Sequence, residues 1–303
     1  MMGSSGSVPG ISIVVPSFNS AATIGRTLDS IRRQAYPCLE VICVDGASTD
    51  GTDRIIDEYR DVVSDVISEP DDGIAHALNK GFRRSSHGIR CYLNSDDEFA
   101  DGALKAVGDY FTRNPGIDVL CGACQRVYED KSSTTTVLRH EFDARLPLRN
   151  EIEQPSTFWR TSIHKVAGEL DQSYRLAFDW EWWNRMRRAG ARFAAVEKVL
   201  SVYHFSSENL TSRGGMRIIE EMFRVTRGYG PCFGAIAYVY WFLFRVFDMH
   251  GYYDRPFAEL RRRQQVVFGI TLRTLYAICG EAIINCYNWN WASKQVRGLV
   301  WYK

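Results

Sequence analysis

The chain has 303 residues, of which 45% are hydrophobic, 24% are charged and 13% are aromatic. This composition is typical of a globular protein, and the length is enough for one large α/β domain with an appendage. The formal net charge is only +1, which excludes a protein that binds nucleic acid through its overall charge. Residues 1–10 are rich in glycine and serine, and we interpret them as a flexible leader.

The first hundred residues alternate between short apolar runs and segments of helical periodicity. This alternation predicts a doubly wound α/β sheet, in which ligands lie at the carboxyl ends of the strands. Asp45 follows the second predicted strand, and Asp96 and Asp97 follow the fourth. The predicted strands are 11–15, 39–44, 62–68 and 88–93, and the predicted helices cover about 24–31, 55–59 and 74–82.

Beyond residue 115 the pattern is mixed, with strands predicted at 119–127 and 134–139 and a helix at 178–188. The eight cysteines show no spacing typical of a disulfide framework, which favours a reducing compartment such as the cytoplasm. Cys121 and Cys124 form a CxxC pair that cannot complete a tetrahedral zinc site alone. We predict that they are buried strand residues, with redox or metal chemistry as the alternative.

The last part of the chain differs from the rest in charge. Residues 1–212 contain 24 basic and 30 acidic residues, whereas residues 213–303 contain 13 basic and 6 acidic residues, a net charge of +7. This second segment also holds four of the eight tryptophans, and basic plus aromatic residues are typical of a membrane-facing element. The apolar run 230–244 is shorter than the roughly 20 residues of a spanning helix, so we favour an in-plane anchor or a buried helix.

Five motifs in the first hundred residues carry a resemblance to a known family. They are VPSFN at 15–19, VDGASTDGT at 44–52, EPDDGI at 69–74, NKG at 79–81 and LNSDD at 93–97. In this order and spacing they strongly resemble family 2 glycosyltransferases, which are inverting enzymes of GT-A fold. The resemblance covers about residues 11–212 and implies a nucleotide-binding half at 11–97, an acceptor half at 98–212 and a helical extension at 213–303.

The resemblance implies roles for several residues of the nucleotide half. Asp45 corresponds to the residue that hydrogen-bonds the base, and Asp96 to the residue that contacts the ribose. Asp97 corresponds to the ligand of a divalent metal, Mn²⁺ or Mg²⁺, on a loop that we expect to be exposed. The turn with Pro16, Ser17 and Asn19 is expected to line the nucleoside pocket, and Asp71 and Lys80 to shape the nucleotide and diphosphate site.

The acceptor half resembles the family at 154–160 (QPSTFWR), 168–171 (GELD) and 176–183 (LAFDWEWW). Asp179 lies where these enzymes place the catalytic base. An inverting transfer needs such a base, because a carboxylate must take the proton of the acceptor hydroxyl. Glu181 is the local alternative. His204 lies where some relatives have a histidine near the metal, although a structural histidine is the alternative. The tryptophans at 180, 182 and 183 are expected either to stack on a sugar or to pack in the core.

The sequence departs from the family at two positions. Position 46 is glycine where many relatives have a second carboxylate, and His76 stands where close relatives often have an acid. The expected partners are a nucleotide-sugar donor (UDP-sugar favoured), a sugar or lipid-linked acceptor and an anionic membrane surface on the cytoplasmic side. A non-catalytic scaffold in a polysaccharide-assembly complex is the alternative, whereas the first turn lacks the glycines that a nicotinamide-dependent oxidoreductase needs.

Overall fold

The computed structural model describes residues 8–138, 141–206, 209–210 and 215–229, together with single residues and pairs between 235 and 278. The chain forms two compact units by its internal contacts. The first consists of residues 1–140 and 152–205, and the second of residues 141–151 and 206–303. The division into a catalytic domain and an extension at residue 212 remains a prediction.

The amino-terminal half of the first unit is a parallel sheet with its helices. Strand β1 is central and buried along its whole length, because its run of β-branched residues leaves no polar face. It pairs in parallel with β2 (Leu39–Asp45) on one side and with β4 (Ile89–Tyr92) on the other. The elements are β1 Ile11–Ser17, α1 Ile24–Arg32, β2 Leu39–Asp45, α2 Thr52–Asp57, β3 Asp65–Ser68, α3 Ile74–Arg84 and β4 Ile89–Tyr92.

The remaining strands extend this sheet in mixed orientation. Strand β8 (Thr157–Arg160) pairs antiparallel with β4 and with β6 (Val119–Val127). Strand β9 (Phe193–His204) runs parallel to β6 over most of the length of β9. The elements are β5 Glu98–Phe99, α4 Ala103–Arg113, β6 Val119–Val127, β7 Ser133–Thr136, β8 Thr157–Arg160, α6 Thr161–Ala167, α7 Phe178–Arg188 and β9 Phe193–His204.

The nine strands described form one sheet in the order β3-β2-β1-β4-β8-β6-β9-β5, with β7 paired to β6. The predicted α/β class with a mixed sheet is therefore confirmed. The chain order reverses between β1 and β4, which is a topological switch point where α/β sheets bind ligands. Cys121 and Cys124 are both buried on β6, as predicted.

The second unit contains α5 Phe142–Arg145 and α8 Gly215–Thr226, followed by a 3-10 turn at Arg227–Tyr229. Apolar side chains are exposed on its described helical residues between 238 and 278, among them Tyr238, Phe242, Val246, Ile270 and Ile278. No helix in the described part of the chain is long and apolar enough to cross a membrane. Most of the apolar run 230–244, the arginines at 261–263 and the tryptophans beyond 288 lie outside the described residues.

Candidate active site

Asp45 lies where three parallel strands end. Its carboxylate is 1% exposed and accepts hydrogen bonds from the hydroxyl groups of Ser17, Ser48 and Ser68 at 3.2, 2.5 and 3.2 Å. The backbone N–H of Ser48 donates a fourth bond at 2.9 Å. A carboxylate has about four acceptor positions, so the protein itself occupies the full capacity of Asp45. Asp45 thereby joins the ends of β1, β2 and β3 into one rigid edge.

The first turn of the site begins at Pro16, which lacks a backbone donor. The pairing of β1 with β4 ends at Val14 and Tyr92, so Pro16 lies beyond the last residue of its neighbour. The sheet therefore opens at this point. Asn19, at a positive φ of 48°, holds the facing loop: its Oδ1 accepts from the N–H of Thr49 at 3.0 Å, and its own N–H donates to the Ser48 hydroxyl at 2.7 Å.

Asp97 follows β4 across this opening, and its side chain is 0% exposed. The expectation of an exposed loop is wrong, because the Thr27 hydroxyl donates to the Asp97 carbonyl at 2.7 Å and holds the loop against α1. Among the described residues, only long hydrogen bonds reach the carboxylate, from the N–H of His204 at 3.4 Å and the Asn94 amide at 3.5 Å. Burial, and then the charge of the half-buried Asp96, raise the pKa of Asp97 well above its usual range. Burial also raises the pKa of Asp96.

The Asn94 side chain lies between Asp97 and Gln154, to whose Oε1 its amide donates at 3.3 Å. Its own Oδ1 is buried and accepts no hydrogen bond from any described residue. A buried amide oxygen beside an under-paired carboxylate fits a hard divalent cation, which prefers oxygen ligands. The described residues nevertheless contain no group of three or more His, Cys, Asp or Glu side chains placed to hold a metal ion.

The His204 side chain contacts Glu98. Its Nε2 lies 2.8 Å from Oε1 of Glu98, a carboxylate that also pairs with Arg26 and Arg33 at 3.2 and 3.3 Å. The backbone N–H of His204 donates to Asp97. The structure therefore places the imidazole in an ion-pair network next to the predicted metal carboxylate.

Asp71 lies in the loop between β3 and α3, and Lys80 lies in α3. Lys80 Nζ contacts the Glu69 carboxylate at 2.8 Å and donates to the Pro70 carbonyl at 2.9 Å, and this pairing lowers the pKa of Glu69. Asp71 Oδ1 accepts from the N–H of Gly73 at 2.7 Å. Lys80 thus holds the loop that carries Asp71.

Asp179 lies in the first turn of α7, where it accepts from the N–H of Trp180 at 2.6 Å. An acid in the first turn is favoured by the helix dipole. Tyr92, the last residue of β4, connects it to the nucleotide half. Burial raises the pKa of Tyr92 well above its usual range, followed by the negative charges of Asp179 and Asp97. Both carboxylates therefore lie within electrostatic reach of one phenol.

Glu181 has a different environment from Asp179. Both of its carboxylate oxygens accept from Arg185 Nε at 2.9 Å, and Arg185 also donates to the Ala167 carbonyl at 2.7 Å. Burial raises the pKa of Glu181 in spite of this pairing. The pair fixes α7 to the end of α6, which is a structural role.

An aromatic cluster supports the helix of Asp179. Trp182 and Trp183 are 0% exposed and Trp180 is buried, so of the two expectations for these tryptophans the core role is the one the structure shows. Trp159 packs edge-on against Trp182, with ring centroids 5.0 Å apart, and Trp182 Nε1 donates to the Gly168 carbonyl at 2.8 Å. The helix therefore rests on packed rings and holds Asp179 in one place.

Four residues that had no predicted role contact site residues or their neighbours: Tyr92, Gln154, Glu98 and Phe18. Gln154 Nε2 donates to the Tyr92 carbonyl at 2.8 Å and so ties the acceptor half to the end of β4. Its place in the motif at 154–160 was a usable signal. The pairing of Glu98 with His204 joins residues 106 positions apart and left no local signal.

A family model described as "Glycosyl transferase family 2" matches residues 12–168. The chain is 28% identical over 181 residues to a PGL/p-HBAD biosynthesis glycosyltransferase of Mycobacterium bovis (strain BCG / Pasteur 1173P2), covering 57% of this chain and 68% of the relative. It is 34% identical over 100 residues to the putative teichuronic acid biosynthesis glycosyltransferase TuaG of Bacillus subtilis (strain 168), covering 32% and 40%.

Two solved structures are similar in fold. Residues 1–349 of S. aureus TarS in complex with UDP-GlcNAc match with a TM-score of 0.61 and 17% identity, covering 95% of this chain and 92% of that one. The chain spans 50% of the longer TarS structure. The mannosyltransferase PcManGT from Pyrobaculum calidifontis, in complex with GDP-Man and Mn²⁺, matches with a TM-score of 0.60 and 19% identity, covering 96% and 88%. At this identity the similarity establishes the fold, and it confirms the predicted GT-A class.

Proposed function

Because the chain belongs to glycosyl transferase family 2, we propose that it is an inverting glycosyltransferase that uses a nucleoside-diphosphate sugar and a hydroxyl acceptor. The observation that carries this proposal is that the end of β4, which Asp97 follows, packs against the start of α7, which carries Asp179: the rings of Tyr92 and Phe178 lie 6.3 Å apart between centroids. One carboxylate belongs to the nucleotide half and the other to the acceptor half. A transferase needs such a pair, because it must hold the donor's diphosphate and activate the acceptor within a single site.

We assign donor binding to the opening between β1 and β4, at the carboxyl ends of the parallel strands. We propose that the turn with Pro16, Ser17 and Asn19 lines the nucleoside pocket, with Asp45 as the residue that keeps the strand ends in register. Asp96 is half-buried at the opposite side of the opening and is the proposed ribose contact. Lys80 contributes by fixing the loop of Asp71.

A divalent cation is proposed for the carboxylate end of this opening. Asp97 and the orphaned Asn94 Oδ1 are the atoms that would hold it, with His204 as a weaker candidate because its ring contacts Glu98. When bound, Mn²⁺ or Mg²⁺ supplies positive charge against the leaving diphosphate. Burial of the Asp97 carboxylate, with only long hydrogen bonds, supports this assignment, since an added cation would offset the cost of the buried charge.

Asp179 is the proposed general base. It takes the proton of the acceptor hydroxyl as that oxygen forms a bond to the anomeric carbon, while the bond from that carbon to the diphosphate oxygen breaks. The products are the glycosylated acceptor and the nucleoside diphosphate. The aromatic cluster under α7 and the Glu181–Arg185 pair hold the helix still, which keeps the base aligned with the attacking oxygen.

The test is the release of nucleoside diphosphate by the purified chain from UDP-, GDP- and dTDP-sugars with Mn²⁺. Removing a positioned general base costs about 10²–10⁴-fold in rate, so Asp179→Asn should lower turnover by that factor while UDP binding persists. The matched variant Glu181→Gln should keep most of the turnover, because the amide oxygen can still accept from Arg185 Nε and hold α7 in place. If Glu181→Gln is the inactive variant, the base is misassigned. If no donor is turned over, the non-catalytic scaffold is the better description.

We also propose that the second unit docks on an anionic membrane surface. The support is the net charge of +7 over residues 213–303 and the exposure of apolar side chains on its helical residues. Each basic residue near an anionic surface adds about 1 kcal/mol. Docking would bring the site to a lipid-linked acceptor.

Vesicle flotation tests this docking with the full chain. The wild type should float with anionic vesicles and dissociate at high salt, whereas Phe242→Glu combined with Ile270→Glu should stay at the bottom. Val166→Glu replaces an apolar residue of the first unit that is 69% exposed, against 48% for Phe242 and 60% for Ile270, and should float like the wild type. If the wild type stays at the bottom at low salt, the docking proposal fails and the transferase proposal stands.

A further inference from the structure

The NKG motif at 79–81 lies in α3, and its three residues contact three different parts of the molecule. Lys80 is bonded to the loop that precedes the helix. A Cβ at Gly81 would lie 2.4 Å from Val14 Cγ1, so the helix packs directly on β1. Asn79 is bonded to neither of these elements through its side chain, which pairs instead with the segment between α6 and α7. Of the three residues, only Lys80 has a role in the proposed site.

Asn79 pairs with the backbone of Leu170 through both ends of its amide. Its Nδ2 donates to the Leu170 carbonyl at 2.9 Å, and the Leu170 N–H donates to its Oδ1 at 2.9 Å. Asn79 is 1% exposed and Leu170 is 2% exposed. Removal of the amide would therefore leave two buried backbone groups without their partner, which is costly. Asn79 thus fixes this segment of the acceptor half against α3.

The same segment is bonded to α7 on its other side. Trp182 Nε1 donates to the Gly168 carbonyl at 2.8 Å, and Arg185 donates to the carbonyl of the residue before Gly168 at 2.7 Å. Trp182 lies three residues after Asp179, which is about one turn further along the same side of the helix. The segment that Asn79 fixes is therefore the one that anchors the helix of the proposed base.

A second contact joins α3 to this segment, one turn beyond Asn79. Arg83 Nε pairs with the Glu169 carboxylate at 2.6 Å, but the two side chains are 54% and 48% exposed. Exposed ion pairs contribute little, because water screens the charges and two long side chains must be ordered. The buried amide pair of Asn79 is therefore the contact that determines where the segment lies.

We propose that Asn79 is a positioning residue for Asp179. By holding the segment that anchors α7, it sets the place of the proposed base relative to the parallel half of the sheet, on which α3 packs. This inference rests on the proposed function and adds to it a residue that lies outside the reacting groups. A misplacement of about 1 Å by a remote change can cost about 10²-fold in rate. Loss of Asn79 should therefore slow the chemical step, while donor binding in the nucleotide half persists.

Steady-state kinetics of the full chain test this role, with whichever of the UDP-, GDP- and dTDP-sugars the wild type turns over. Asn79→Ala should lower kcat by about 10- to 100-fold. Its KM for the donor, and its Kd for the matching nucleoside diphosphate by calorimetric titration, should stay near the wild-type values. Arg83→Ala is the matched control, because it removes an exposed contact between the same helix and the same segment, and it should keep the wild-type kcat.

Trp182→Phe measures the same connection from its other end, and it decides the question if Asn79→Ala does not fold. The variant keeps an aromatic ring but loses the bond to Gly168, so kcat should fall with the donor KM unchanged. In the double variant the two losses should be much less than additive, because both changes break one connection.

A folded Asn79→Ala with the kcat of the wild type would overturn the inference and leave the transferase proposal intact. A loss of nucleotide affinity as large as the loss of kcat would also overturn it, since Asn79 would then shape the donor site. Additive losses in the double variant would show that Asn79 does not act through α7. If the wild type turns over no donor, the proposed function fails and the inference fails with it.

Discussion

His164 gives a prediction whose magnitude follows from the structure. The side chain is 6% exposed, and its ring lies 4.9 Å from that of Phe82 and 4.8 Å from that of Trp182, measured between centroids. Its Nδ1 accepts from Trp159 Nε1 at 3.2 Å, so the folded state holds the neutral imidazole. Burial, followed by the positive charges of Arg90 and Arg185, lowers the pKa of His164 from 6.5 to about 3.

The sign of the effect follows from this lowered pKa. Because the unfolded chain takes up the proton more readily, the stabilisation is fully present above pH 6.5 and is lost as the pH falls toward 3. Linkage with these two values gives a loss of about 2 kcal/mol between about pH 7.5 and pH 5. A protonated imidazole would also lose the bond from Trp159 and face two guanidinium groups.

Urea unfolding followed by tryptophan fluorescence at several pH values measures this loss. His164→Gln keeps an acceptor for Trp159 but does not titrate. The free energy of unfolding of the wild type should therefore fall toward that of the variant by about 2 kcal/mol between about pH 7.5 and pH 5. Ile163→Val is the control: it should cost about 0.5–1.5 kcal/mol and leave the pH dependence parallel to the wild type.

Equal pH dependence in the wild type and in His164→Gln would refute this reasoning. Such a result would mean that the cluster admits a charged imidazole, for example through water. The functional consequence would change too, because α7 rests on these rings. If the cluster requires the neutral imidazole of His164, acid should release Asp179 from its position before the parallel half of the sheet unfolds.

Two further predictions concern the metal and the packing of the sheet. At Mn²⁺ concentrations about 100-fold above the dissociation constant, the free energy of unfolding of the wild type should rise by about 2.7 kcal/mol. Asp97→Asn should gain none of this stability. An equal gain in the variant would exclude Asp97 as a ligand. Gly81→Ala should cost about 1–3 kcal/mol, because its Cβ would lie 2.4 Å from Val14 Cγ1 behind the nucleotide edge. Gly88→Ala, with nothing within 4 Å, should change stability by less than about 0.5 kcal/mol in the same denaturation experiment.

The parallel half of the sheet was predictable because its signal is local. The runs 11–15 and 39–44 are short, apolar and rich in β-branched residues, and the structure places β1 and β2 over them. The helix predicted at 178–188 has the same bounds in α7. In each case burial on both faces, or on one helical face, leaves a pattern that the sequence alone displays.

The mixed half was harder because its strands are defined by partners. β9 is mostly half-buried or exposed along its length, so it lacks a clear apolar run, and the sequence predicted no strand there. β5 has two residues and exists only through its pairing with β9, more than 100 positions away. Propensity and periodicity carry no information about such pairings.

The site shows the same division between position and environment. The strand-end positions of Asp45 and Asp97 follow from the alternation of elements, and both carboxylates lie there. Their environments depend on remote groups: three serines from three segments saturate Asp45, and Thr27 of α1 draws the Asp97 loop inward. The sequence could therefore indicate which residues face the ligand side, but it could not show that one acid is fully paired and the other is under-paired.

This contrast between the two acids explains how one sheet edge can be both rigid and reactive. Asp45 stabilises the edge because every oxygen position is occupied by a donor, so it contributes structure without an unmet charge. Among the described residues, Asp97 receives two long hydrogen bonds, one from Asn94 of its own loop and one from the backbone of His204, and its buried charge is destabilising until a ligand compensates it. The ring of Tyr92, at the end of β4, packs against that of Phe178, which precedes Asp179 in α7. We expect a ligand that compensates Asp97 to change the electrostatic field at the proposed base as well, which would couple donor binding to acceptor activation.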